Sequence, residues 1–180
     1  MMLDILFEII EENVGLYEKC LVYIGTNNAI SEVYNWIIEN HQEFRNNVGV
    51  YTSMVSEEEK QQALNKRLIL STTKSAGAAV DIDGLKMTVV LAEPFKSEVL
   101  ARQTLGRTRA NNTMYIEIVD KSFHQIKRYY NYKKPIFDKY ATRCTEVEIG
   151  DLELINRHAR LESKKEKGKI LYHDYESEVY

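Results

Sequence analysis

Cys20-Leu21-Val22-Tyr23-Ile24-Gly25-Thr26-Asn27-Asn28-Ala29-Ile30 decides how the rest of this chain is read. Its first half is a short continuous apolar run, typical of a strand covered on both faces. Gly25 to Asn28 follows as a turn, and its side chains include good N-cap residues. Ile30, Val33, Tyr34, Ile37 and Ile38 then recur at helical spacing, with Trp36 at the edge of the stripe. A strand, a tight turn and an amphipathic helix in direct succession form the repeating unit of parallel α/β sheets.

The alternation extends in both directions. Upstream, Leu3, Leu6, Phe7, Ile10 and Val14 mark a helix that Gly15 ends. Downstream, Val48 to Tyr51 reads as a second strand and Glu57 to Leu64 as a polar helix or helical loop. Arg67 to Ser71 is a third strand, Met87 to Leu91 a fourth and Met114 to Val119 a fifth. This pattern predicts an α/β fold with a mainly parallel sheet and helices on both faces. Ligands of such folds gather beyond the carboxyl ends of the strands. The loops at Thr26, Thr52, Thr73 and Arg107 are therefore expected along one edge.

Composition narrows the possibilities. The chain has 180 residues and 44% hydrophobic content, enough for one well-cored domain with an appendage. A net charge of -3 excludes a generically basic nucleic-acid binder but leaves room for a local basic groove. Cys20 and Cys144 lie far apart, which favours a reducing, cytoplasmic compartment, and no residue of the chain is assigned to a metal. No apolar stretch is long enough to span a bilayer, so no membrane partner is expected.

Between the fourth and fifth strands lies Gln103-Thr104-Leu105-Gly106-Arg107-Thr108-Arg109. Phe95 to Leu105 has the composition of a short helix, and Gly106 suits its end. Two arginines then leave the helix close together. Guanidinium groups held this way suit a polyanion, because each offers a rigid fork of donors and keeps its charge.

From Ser122 onward, Phe123, Ile126, Tyr130, Phe137 and Tyr140 predict a long helix, interrupted or kinked at Pro135. Lys127, Arg128, Tyr129, Tyr132, Lys133 and Lys134 give it a basic, tyrosine-rich face. That face suits either a nucleic-acid backbone or, as the commoner case, solvent. Beyond Gly150 the sequence is charge-rich, with Lys164-Lys165-Glu166-Lys167.

Three of these segments carry a family resemblance. Leu21 to Thr26, Ser71-Thr72-Thr73-Lys74-Ser75-Ala76-Gly77-Ala78-Ala79-Val80-Asp81-Ile82 and Gln103 to Arg109 have the order and rough spacing of helicase motifs IV, V and VI. Over residues 3 to 141 the chain resembles the second, C-terminal RecA-like domain of superfamily 2 helicases and translocases. Phage-type members are the nearest in flavour, since their sixth motif also reads Gly-Arg-x-Arg. The resemblance implies a RecA-like domain over 1–145 and a charged, helical C-terminal extension over 146–180. It implies ATP and Mg2+ as cofactors, both held mainly by an N-terminal RecA-like domain or subunit. Gln103 would organise the interface and touch the nucleotide or its partner motif, and Arg107, with Arg109 as a second arginine, would reach the terminal phosphates. Asp81, with Gly77 and Gly106, would form the rest of this domain's nucleotide side. Thr26, Thr52, Thr73 and Lys74 would contact phosphates of one DNA or RNA strand. Two departures stand out: Ala110 occupies the place of the usual final arginine of motif VI, and Ala79 a place often held by glycine.

No Gly-x-x-x-x-Gly-Lys-Ser/Thr loop occurs in the sequence, and no strand ends in Asp-Glu. Phosphoryl transfer in such enzymes needs both. The resemblance thus implies half of an ATP site, inactive by itself. The alternative reading is a non-catalytic RecA-like module for protein or nucleic-acid binding. A metal-dependent nuclease built on Asp81 and Asp83 is weaker, because no third carboxylate or lysine accompanies them at informative spacing.

Overall fold

The computed structural model describes residues 2–76, 80–91, 97–106, 113–141, 143–144 and 146–147. Five strands form one sheet in the order β2-β3-β1-β4-β5, where β1 is Lys19–Ile24, β2 Val48–Tyr51, β3 Leu68–Ser71, β4 Leu85–Leu91 and β5 Met114–Ile118. All four pairings are parallel. β1 is central, and Cys20 to Ile24 are all buried, as expected of a strand covered on both faces.

Alternate side chains of the strands feed two separate cores. Cys20, Val22, Ile24, Leu68, Leu70, Met87, Val89 and Leu91 face one layer. There they meet α1 (Met2–Asn13) through Leu6, Phe7 and Ile10, and α2 (Asn27–Asn40) through Ile30, Val33 and Ile37. Leu21, Tyr23, Ile69 and Val90 face the other layer. That layer holds α3 (Glu57–Leu64) through Leu64, α4 (Glu98–Gly106) through Ala101, α5 (His124–Tyr140) through Phe137, and part of the β3–β4 connection. Helices therefore cover both faces, as the alternation of elements predicted.

Two elements refine the sequence reading. Glu57 to Leu64 is a helix, not a helical loop, because Ser56 and Glu59 form a reciprocal capping box. The Ser56 hydroxyl accepts from the Glu59 amide at 3.3 Å, and the Ser56 amide donates to the Glu59 carboxylate at 2.8 Å. α5 runs through Pro135 without interruption. A proline inside a helix removes one hydrogen bond to the carbonyl four residues earlier. That residue, Asn131, is exposed, so water can satisfy the oxygen. Of the expected boundary and extension, residues 148–180 lie outside the described residues. Glu146 is described, and it receives Lys134 of α5 at 2.7 Å and Lys121 at 3.1 Å.

Candidate functional site

Because every strand is parallel, Thr26, Thr52 and Thr73 all follow carboxyl ends, those of β1, β2 and β3. The strand order sets them along one edge as Thr52, Thr73, Thr26. The three side chains are nevertheless presented differently. Thr26 is exposed and is the N-cap of α2, its hydroxyl accepting from the Ala29 amide at 3.2 Å. Its hydroxyl proton remains available to an anion. Thr52 is 2% exposed, and its hydroxyl accepts from the Met54 amide at 3.2 Å. Thr73 is also 2% exposed, whereas Lys74 beside it is exposed. Of these three threonines, Thr26 presents its side chain at the surface, whereas Thr52 and Thr73 are buried. Both of these are drawn inward by the turns that end their strands.

The segment after β3 leaves the carboxyl edge, and its described residues, 72–76 and 80–84, pass to the other end of the sheet. It starts with a turn in which Ser75 and Ala76 donate to the Thr72 carbonyl at 3.1 and 3.2 Å. The Thr72 hydroxyl joins Ser75 at 3.0 Å. The Tyr23 phenol, fully buried on central β1, donates to the Ala76 carbonyl at 3.1 Å and pins the crossing to the sheet. Ile82 then sinks into the second core, and the Gly84 carbonyl accepts from the Lys19 amide at 2.8 Å. Gly84 makes this turn at φ 75, a left-handed conformation that glycine adopts without a Cβ clash. By Asp81 the chain has reached the opposite edge, four residues before β4 begins at Leu85. Asp81 is exposed there. One short segment thus carries Thr73 at one edge and Asp81 at the other.

Gln103 is half-buried on α4, which ends at Gly106 as the sequence predicted. Arg107, Arg109 and Gly77 lie outside the described residues. Of the loops expected along one edge, those at Thr26, Thr52 and Thr73 are described and follow the carboxyl ends of their strands, while the Arg107 loop lies outside the described residues.

Sequence reasoning missed the residues that hold this arrangement. Tyr23 was read as one member of an apolar run, and nothing local signals a partner 53 residues away. Ser71, whose hydroxyl donates to the Tyr51 carbonyl at 2.5 Å, ties the ends of β2 and β3 together. Lys133, read as part of a basic face of α5, is 1% exposed and paired with Glu117 of β5. Buried in that pair, it leaves the exposed face. Lys127 and Arg128 remain exposed.

No protein-family model matches the chain, and no curated protein matches it significantly. Solved structures do. S. cerevisiae Dbp5 bound to RNA and ADP BeF3 is 16% identical with a TM-score of 0.57, over 73% of this chain and 36% of that one. The L327V form of that protein, bound to the same ligands, is 16% identical with a TM-score of 0.54 over the same shares. The C-terminal domain of the DEAD-box protein Dbp5 is 15% identical with a TM-score of 0.58, over 79% of this chain and 80% of that one. The chain therefore spans about a third of the longer Dbp5 chains but four-fifths of the isolated domain. At these identities the likeness is one of fold: this chain has a RecA-like α/β fold, similar to that of the C-terminal domain of a DEAD-box protein.

Proposed function

We propose that this chain is the second motor domain of an ATP-dependent superfamily 2 helicase or translocase. In this reading it supplies motifs IV, V and VI to an ATP site shared with an N-terminal RecA-like domain. The observation that carries the reading is the crossing from Thr73 to Asp81. It joins an edge bearing the exposed Thr26 and Lys74 to the edge where Asp81 stands, with Tyr23 fixing its course. Such a link lets nucleotide state and strand grip be felt by each other through one pinned segment.

The roles follow from the chemistry of each group. Thr26 and Lys74 hold phosphates of one nucleic-acid strand, a form of contact that positions without reading sequence. Thr52 and Thr73 act from inside their turns, shaping backbone amides toward the same strand. Asp81 accepts from the ribose, with Gly77 and Gly106 allowing close approach of the backbone. Gln103 organises the interface, and Arg107, with Arg109 beside it, meets charge that develops on the terminal phosphates. ATP and Mg2+ supply the transferable phosphoryl group and its charge neutralisation, and both are held mainly by the N-terminal domain. The Gly-Arg-x-Arg spelling at 106–109 is the form found in phage-type members. The strand is DNA or RNA, and the site of action is the cytoplasm.

The test compares this chain alone, this chain with the N-terminal motor domain, and that pair carrying Arg107→Ala. Alone, the chain should show no nucleic-acid-stimulated ATPase. Paired, it should turn over, and Arg107→Ala should lower kcat by roughly 10³–10⁵-fold with nucleotide affinity largely kept. An Arg107→Ala rate within a few-fold of the parent would defeat the arginine-finger role. Robust turnover by the chain alone would defeat the shared-site reading, and inactivity of the pair would favour a non-catalytic binding module.

A further inference from the structure

On the face opposite the crossing segment, three side chains from separate elements converge. Glu11 comes from α1, His41 from the C-cap of α2, and Glu43 from the short 3-10 helix Gln42–Phe44. One ligand atom of each lies within 4.8 Å of the others. Ligand atoms around a tetrahedral ion with bonds of about 2.1 Å stand about 3.4 Å apart. His41 Nδ1 and Glu43 Oε1 are already 3.1 Å apart.

The imidazole is prepared for such a role. His41 is 9% exposed, and its ring stacks on Phe7 at 4.0 Å and tilts against Trp36 at 5.1 Å. Its plane is therefore fixed by packing. Neither nitrogen meets the backbone: Nδ1 faces Glu43, and the buried Nε2 has no hydrogen-bond partner among the described residues. Glu11 and Glu43 are exposed, so an ion can enter from solvent.

Arg67 is directed elsewhere: it donates to the Val14 carbonyl at 2.5 Å and lies over the Phe44 ring at 5.1 Å.

We propose that Glu11, His41 and Glu43 bind one divalent transition-metal ion of the Zn2+ class, which fastens α1 to the end of α2. Imidazole with carboxylates suits such an ion better than Mg2+ or Ca2+, which take oxygen ligands almost alone. Three protein ligands leave a fourth position for water. This site is independent of the helicase reading and reverses the sequence-based assignment of no metal. Glu11 is 30 residues from His41 in the chain, so only the fold brings the set together.

The test uses the metal-stripped 180-residue chain in a Cys144→Ser background, which removes the exposed thiol as a competing ligand. Zn2+ is titrated by calorimetry, and Co2+ is followed by visible absorption. One equivalent should bind, at least tenfold more tightly than in Glu11→Gln or Glu43→Gln. Zn2+ should raise the Tm of the parent and not that of the double variant. Both glutamates are exposed, so the metal-free variants should keep the parent Tm, and His41→Asn should abolish the Co2+ band. Equal affinity in the parent and the double variant would overturn the site, as would displacement of Zn2+ by an equal concentration of Mg2+.

Discussion

Tyr23 shows most clearly what a single residue contributes here. Its ring belongs to the apolar run that announced β1, while its phenol reaches across to the Ala76 carbonyl. The strand was legible from composition; the hydrogen bond was not, because its partner is fixed only when the sheet assembles. Tyr23→Phe keeps the ring and removes the bond, so it should lower stability by about 1–2 kcal/mol. The urea midpoint should fall with the m-value unchanged; no change in midpoint would mean that the crossing is held by its turn alone. Thr26 is the opposite case, since its capping role was readable from Gly25-Thr26-Asn27 without any fold. Lys133 was misread because helical spacing places it among exposed lysines. The overlooked signal lay elsewhere, in Glu117, an acid within the apolar strand Met114 to Val119. Lys133→Met should cost about 3–5 kcal/mol by leaving that carboxylate buried without its ammonium. Adding Glu117→Leu should return most of the loss, and a double variant as unstable as the single would refute the pairing as the cause.

At the scale of elements, periodicity placed all five strands to within two residues, because apolar runs on a doubly covered sheet are unambiguous. Helix α3 was harder. Its own residues are polar, and its presence rests on the box at Ser56 and on one close approach to β2. That approach occurs at Gly49, where an added Cβ would lie 2.7 Å from the Ala63 Cα and 2.8 Å from its Cβ. Backbone cannot swing aside as a side-chain tip can, so Gly49→Ala should push α3 off the edge strand. The expected cost is about 1–3 kcal/mol, read as a lower Tm with faster amide exchange in β2 and α3. Unchanged exchange in α3 would show that the helix shifts without loosening. Glycine in a short Val-Gly-Val strand is the only trace of this contact in the sequence. It became interpretable only once α3 was seen to lie over it.

For the molecule as a whole, global stability should depend on pH through Glu146, which joins Lys121 and Lys134 beside α5. The hydrogen bond from Lys134, and then that from Lys121, hold its carboxyl below the ordinary value. A depressed folded value means stability that is present above the unfolded carboxyl pKa, about 4.3, and lost as pH falls through the folded one. Glu146→Gln should therefore lower the urea midpoint at pH 7 and bring the two proteins together in acid. The gap should shrink with salt, as expected for a partly exposed pair; a gap that persists at low pH would point to lost packing instead. The sheet order has a further consequence, for the sequence of events during synthesis. Central β1 leaves the ribosome before both of its neighbours, β3 and β4, which come from beyond residue 67, and β2 can join only through β3. Its backbone must wait for those later partners, covered at best by α1 and α2. Assembly from non-local parallel pairings is slow and leaves unpaired edges exposed. A nascent chain stalled before residue 68 should be the species that chaperones capture.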